Sequence, residues 1–586
     1  MKGGSMKRLN ILLSAMIIYC SCLIAAPIYN MPLTLTQPDG TTFSCFASGD
    51  EYFHWLHDSE GYIIIQDSIT GYYCYADTLS DGSLTASNKI ASLTNKGIIK
   101  TFRVKNISIK EQEQTQFRYN PCSFDFVSAK NLVNGEQVVM NNIVIFIRFA
   151  DQDEFSNTEI ATIKSIMIDS TANSLSFKNY ILESSFQKLK VNSFFYPQST
   201  TILSYQDIHP RNYYLPYSAN NPIGYQEAIR KQREDSLLVR AINVIKNQIS
   251  PDINLDADNN SLIDNVVFVA KGGPGDFSTI LWPHRWNMYQ NCYINSKQVG
   301  TYNILLSNYL DLGTICHEFL HTLGAPDLYH KNPNSDNVMM HPVDLWDVMA
   351  NTQSQPQQTS TYIKYKYLHW IDNIPSILHT GTYTLNPITV ATNNCYTIPI
   401  PNQTEYLLLE YRKKTNIFDA SIPNNGILIY RINPNISGNF EGREAGGVDD
   451  EVYIYRLYGD LNNDGYCNVA SHYNGYGGLA FSDVSNPNDF MSDGTLGGVQ
   501  ISNFGTCSDN ISFKVRFCGN PSFISTDVIY DSSNISSNNH AFNISTSGDI
   551  TLATDISFGA YESITLNPGF YVPFGINFVA NIITCD

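Results

Sequence analysis

The chain is short of charge, and shortest of positive charge. Only 15% of its 586 residues are charged, and 36 Lys and Arg face 54 Asp and Glu, for a formal net charge of −18. That deficit of cations excludes a nucleic-acid partner, because phosphate binding needs a basic surface. Cysteine is scattered, with no C-x-x-C pair, which argues against a thiolate zinc site. Beyond residue 26 no run reaches the roughly 18 apolar residues of a membrane span. No long-period repeat is found before residue 519. What is present is a hydrophobic content of 43%, rich in Tyr and Phe. Such a chain can bury several cores, and its length predicts roughly three to five domains.

The first 26 residues read as a secretory signal peptide. Lys7 and Arg8 precede an apolar run from Ile11 to Ile24, and Ala25 and Ala26 are small residues suited to cleavage. The protein is therefore expected to be secreted or at the cell surface. A lipid anchor at Cys20 or Cys22 is the lesser alternative, since Tyr19 fits badly before Cys20. Export permits disulfides among the remaining cysteines. A Cys45–Cys74 disulfide is expected, in preference to either thiolate covering a metal.

Texture changes divide the rest. Residues 27–137 combine short alternating strands, turn signals such as Pro38-Asp39-Gly40, and a polar, charge-mixed linker from Lys105 to Tyr119. Residues 138–380 alternate strands with helices and read as an α/β unit. Its strands are VVMNNIVIFIRFAD from Val138, KVNSFFYP, NVVFVA (Asn265–Ala270) and Tyr302–Leu306. Its helices are Ser176–Leu189, Gln226–Ile249, one starting near Asp311, and Tyr362–Trp370. Residues 381–518 (TYTLNPITV, CYTIPIP, YLLLEYR, GILIYRI, ISFKVRF) read as a β-sandwich-like domain. Residues 519–586 form a small all-β C-terminal module.

The chemistry concentrates in His317-Glu318-Phe319-Leu320-His321-Thr322-Leu323-Gly324-Ala325-Pro326-Asp327. Positions i and i+4 share a helix face, so both imidazoles can reach one ion. Gly324 lets the chain leave the helix in a left-handed turn, which returns Asp327 as a third ligand. Three protein ligands leave a fourth position open, the mark of a catalytic zinc. Glu318 stands beside the first ligand, placed as general base toward a zinc-activated water. Cys316 points away from the ligand face and is expected to pack. His341 is a rival ligand on proximity alone.

The extended H-E-x-x-H-x-x-G-x-x-ligand spacing is the metzincin form, whose members carry a methionine in a tight turn below the metal. Met349, in Leu345-Trp346-Asp347-Val348-Met349, is the candidate. With HEFLHTLGAPDLY (His317–Tyr329), LWPHRW (Leu281–Trp286), EYLLLEYR (Glu405–Arg412) and NNGILIYRI (Asn424–Ile432), the sequence resembles the immune inhibitor A-type metallopeptidases, secreted bacterial zinc enzymes. The resemblance implies a multidomain protein with an α/β (α+β) zincin- or metzincin-like catalytic domain. It also implies endopeptidase activity on protein or peptide substrates, zinc on His317, His321 and Asp327, and a propeptide that makes the enzyme a zymogen. GDEYFHWLHDSEGY (Gly49–Tyr62) resembles that propeptide. Arg431 departs from the pattern, where the family is expected to have His.

Two acidic loops suggest calcium. Asp256, Asp258, Asn260 and Asp264 place oxygen side chains at calcium-loop spacing, with Ser261 where glycine is preferred. Asp460, Asn462, Asp464 and Asn468 repeat the pattern with Gly465 in place. A plain acidic turn is the alternative for both. His284 is a candidate cleft residue or a structural histidine, and His54 and His57 are expected to pack. The final module resembles small β-modules at the ends of other secreted bacterial proteins, which implies attachment or adhesion at a cell surface. Two other functions compete with the endopeptidase: a zinc hydrolase of non-peptide substrates, and an adhesin with a vestigial protease fold.

Overall fold

The computed structural model describes residues 28–49, 54–67, 69–78, 84–91, 137–273, 280–330, 341–400, 403–414, 416–439, 450–461, 463, 480–517, 528–536 and 538–582. The signal peptide, the Lys105–Tyr119 linker, Cys20, Cys22, Asn462, Asp464 and Asn468 lie outside them. The chain forms a multidomain α/β structure with several β-sheets.

The N-terminal part is a six-stranded antiparallel meander: β1 (Ile28–Thr36), β2 (Thr42–Gly49), β3 (His54–His57), β4 (Ile63–Gln66), β5 (Tyr73–Thr78) and β6 (Leu84–Ile90). Cys45 and Cys74 are both buried and unpaired, which corrects the expected disulfide. Their strands, β2 and β5, are separated in the hydrogen-bonded order by β3 and β4. Burial pushes the Cys45 thiol up to about 12, so it behaves as a small core hydrophobe. His57 is likewise buried and stacked on Phe46.

The next sheet begins with β7 (Val138–Arg148), whose β-branched residues alternate between two cores. Val144 and Phe146 face one core, and Ile143, Ile145 and Ile147 face the other. β8 (Leu189–Tyr196), β9 (Tyr205–Gln206), β10 (Val266–Ala270), β11 (His284–Asn287) and β14 (Thr301–Leu306) complete it, and β12 (Tyr293–Ile294) with β13 (Lys297–Gln298) makes a small hairpin. The order is β11-β14-β10-β7-β8, with β9 also on β7. All pairs are parallel except the edge strand β11 on β14.

Helix α1 (Asn157–Ile168), absent from the sequence reading, starts at a Ser156–Glu159 capping box. Helix α2 (Phe177–Ser184) is shorter than expected. The long amphipathic segment is α3 (Arg230–Ile245), flanked by 3-10 turns rather than helical throughout. Helices α4 (Leu312–Thr322) and α5 (Thr361–Lys366) follow. Leu237, Leu238 and Ile242 of α3 cover one face of the sheet, while α1, α2 and α4 cover the other.

Beyond residue 380 come β15 (Gly381–Leu385), β16 (Cys395–Pro399), β17 (Tyr406–Arg412), β18 (Gly426–Ile432), β19 (Val452–Ile454), β20 (Val499–Ser502) and β21 (Ile511–Phe517). They form a four-stranded sheet β16-β17-β18-β19 and a three-stranded sheet β15-β21-β20. Leu407, Leu409 and Ile429 of the first share a core with Ile511, Phe513 and Val515 of the second. The opposite face of the first sheet is apolar too. Leu408, Leu428 and Tyr430 there join the core that contains Phe319 and Leu320 of α4. β22 (Val528–Tyr530), β23 (Asn538–Thr546), β24 (Ile550–Thr551), β25 (Ile556–Thr565), β26 (Phe570–Tyr571) and β27 (Phe578–Ile582) stack in parallel as a small coil.

Candidate metal centre

Helix α4 carries the site because its two ends are well determined. At its start, Asp311 Oδ1 accepts from the Thr314 N–H at 2.8 Å. At its end, the Gly324 N–H donates to the His321 carbonyl and the Ala325 N–H to the Leu320 carbonyl, both at 3.0 Å. Gly324 has φ +97°, which makes this a Schellman ending that only glycine enters without strain. Gly313 allows a close pass: a Cβ there would lie 2.3 Å from the Gln353 carbonyl oxygen. Phe319 packs edge-on against Phe177 of α2 at 4.8 Å.

The turn at Gly324 delivers Asp327 to the histidine face. Asp327 Oδ1 lies 3.3 Å from His317 Nε2 and 3.2 Å from His321 Nε2, and the two Nε2 atoms are 3.0 Å apart. All three residues are buried. The other ring nitrogens are committed. His317 Nδ1 is 2.9 Å from the Val348 carbonyl, and His321 Nδ1 is 2.8 Å from the Ala325 carbonyl. A carbonyl only accepts, so each Nδ1 must carry the proton, and each neutral ring then presents a lone pair at Nε2. Two lone pairs and a carboxylate oxygen thus converge on one point.

This arrangement fits zinc. Tetrahedral bonds of about 2.0–2.1 Å place ligand atoms about 3.3 Å apart, close to the separations here. Burial opposes charge on both His321 and Asp327, but each outweighs that for the other, so His321 is pulled up and Asp327 held well below the ordinary carboxylate range.

Glu318 is buried beside the group, and neither carboxylate oxygen has a hydrogen-bond partner among the described residues. Burial pushes its carboxyl up, against the pull of His317 and His321. The Asn303 amide secures its backbone carbonyl at 2.9 Å. Met349 is fully buried, and its carbonyl accepts from the Leu328 N–H at 2.9 Å, joining its turn to the ligand loop. Val348, which orients His317, was missed by the sequence reading. No residue type marks a backbone carbonyl in advance.

His341 is not in the group. His284 is 2% exposed, with Nδ1 on the Trp282 carbonyl at 2.8 Å and Nε2 on Glu234 at 3.0 Å. Both nitrogens are thereby engaged. Cys316 is packed in the core, as expected. Arg431 is buried, 3.5 Å from Glu405 and stacked over Tyr453.

Of the first acidic loop, Asp256, Asp258 and Asp264 come together. Asn260 lies against them: its backbone N–H reaches Asp256 and Asp258, its amide donates to Asp258, and its oxygen accepts from the Leu262 N–H. Lys297 Nζ already lies 2.6 Å from Asp256. Burial, and then the charges of Asp258 and Asp256, push the Asp264 carboxyl up to about 8. Asp460 is the one described member of the second loop's four candidates.

No known protein family's profile and no curated protein matches the chain. Among solved structures, it is similar to metalloproteinase-II from Bacteroides fragilis at 12% identity and a TM-score of 0.20, over 59% of this chain and 86% of that one. With so low a score the reading rests on the site itself, a buried His317–His321–Asp327 group able to hold a metal such as zinc.

Proposed function

We propose that the protein is an exported, zinc-dependent endopeptidase made as a zymogen. The observation that carries this reading is the convergence of two histidine lone pairs and Asp327 at 3.0–3.3 Å beside an unpartnered Glu318. His317, His321 and Asp327 would hold the metal. Zinc bound there supplies a water of pKa about 7 and an electrophile for a substrate carbonyl. Glu318 takes the proton at its carboxylate and later returns it to the leaving amine. With no hydrogen-bond partner among the described residues, both of its oxygens are available for that transfer. Met349 forms the floor.

The zymogen part rests on the propeptide-like segment Gly49–Tyr62. Trp282, two residues before His284 on the edge strand, is buried in the same cluster as Leu35, Phe43 and Tyr73 of the N-terminal sheet. Calcium at Asp256, Asp258 and Asp264 belongs to the reading as an exchange with Lys297. Attachment through the C-terminal coil belongs to it as well.

The test is hydrolysis of casein by the processed protein. Activity should vanish with a chelator and return with zinc. Glu318→Gln should lower it by about 10²–10⁴-fold while zinc stays bound. Full activity in that variant would overturn the mechanism. A zinc-loaded protein that cleaves no protein substrate would overturn the endopeptidase reading.

A further inference from the structure

The motifs in β17 and β18 contain no metal ligand, yet their unit reaches the metal centre at two points. The first is Asn439, in the loop after β18, which is 1% exposed. Its backbone N–H donates to the Asp327 carbonyl at 2.9 Å. Its Nδ2 donates to the Leu328 carbonyl at 3.2 Å and the Val452 carbonyl at 2.7 Å, and its Oδ1 accepts from the Val452 N–H at 3.0 Å. One side chain thus ties the ligand loop to β19. Next to it, Gly438 has φ +72°, and a Cβ there would sit 2.8 Å from the Asp327 carbonyl oxygen. The two backbones touch where any larger residue would separate them.

The second point is Arg412, at the end of β17 and fully buried. Its Nη1 donates to the Trp346 carbonyl at 2.7 Å, and its Nη2 to the Gln358 carbonyl at 3.1 Å and Asp419 at 2.7 Å. Trp346 leads directly to Val348, whose carbonyl sets the orientation of His317. Two of the three prospective ligands are therefore oriented through segments anchored outside the unit that contains α4. His321 is held locally, by the helix ending.

A ligand triangle tolerates little error, since productive geometry is lost beyond about 0.5 Å. We infer that Asn439 is a positioning residue for the metal centre, holding Asp327 at ligating distance from β19, with Arg412 doing the same for His317 through the Trp346–Val348 segment. The sheet β16-β17-β18-β19 is then part of the metal site rather than an accessory to it. This inference rests on the metal-centre reading above.

The experiment measures zinc affinity of the full chain by competition with a chromophoric chelator, together with the visible absorption of the cobalt-loaded protein. Asn439→Ala should weaken zinc binding about 10–100-fold and shift the cobalt bands. Asn435→Ala, at an exposed position in the same loop with its amide on Thr404, should change neither. Asn439→Asp keeps the acceptor for Val452 but loses both Nδ2 donations. It should also weaken binding, and it serves if the alanine variant does not fold. Wild-type affinity and spectrum in a folded Asn439 variant would overturn the inference. A wild-type protein that takes up neither metal would overturn the metal reading, and this inference with it.

Discussion

Among the described residues, two buried groups have the composition of a metal site, and they differ in what faces their lone pairs. At His317, His321 and Asp327 the hydrogen-bond donors point outward, to the Val348 and Ala325 carbonyls, so the inner atoms are acceptors facing acceptors. At Asp256, Asp258 and Asp264 the acceptors are already answered. Lys297 meets Asp256, the Ala257 N–H meets Asp264, and the Asn260 amide meets Asp258. A cluster of carboxylates is common in a protein with excess acid. Buried acceptors converging with no donor among them are costly unless a cation enters. The first group could hold a metal such as zinc, whereas in the second Lys297 already answers part of the charge.

His321→Ala breaks the comparison most strongly. It removes one of the converging acceptors, so metal analysis should fall from one zinc per chain to near none, and peptidase activity to background. Retained stoichiometric zinc would mean that the group is not the site. Lys297→Met should turn the second group into the first kind. Without its ammonium the metal-free melting temperature should drop by about 2–4 °C, the shift that about 1 kcal/mol produces in a unit of 150–250 residues. Calcium should then raise it more than in the wild type. Equal indifference to calcium in both proteins would remove the loop from consideration as a cation site.

The smallest effect concerns the buried acid that caps α4. Burial pushes the Asp311 carboxyl up to about 6 from an ordinary 3.8, against the pull of Thr314. Between those two values the folded state holds more proton than the unfolded one, so stability should fall as pH rises from about 4 to about 6. Asp311→Asn keeps an oxygen for Thr314 and removes the titration. Its melting temperature should change less across that window than the wild type's, as scanning calorimetry can measure. An unchanged slope would show that Asp311 does not report on this pH range.

Much of the scaffold was legible because its signals are local. β7, β10, β14 and the strands after residue 380 follow from short β-branched runs, and α4 from an Asp cap and a Gly stop. Helix α1 was legible too: Ser156 and Glu159 spell a capping box that the reading passed over. The Cys45–Cys74 pairing was not, because neighbours across a sheet depend on strand order rather than on residue type. Nor could the acidic loop be judged from its spacing. Lys297 lies 41 residues from Asp256 in the chain, and it decides whether those charges are free.

The sequence by itself determined the chemistry at hand: two imidazoles on one helix face, a carboxylate beside the first, and a glycine turn that returns Asp327. Helical periodicity and glycine's conformational freedom are properties of a dozen consecutive residues, so they needed no fold. Only the tertiary structure decided how those groups are held. The carbonyl that orients His317, the Asn439 amide that grips the ligand loop and the Arg412 guanidinium behind Trp346 act by proximity across the chain. Proximity between distant segments comes from packed sheets and a shared core, and no local pattern encodes it.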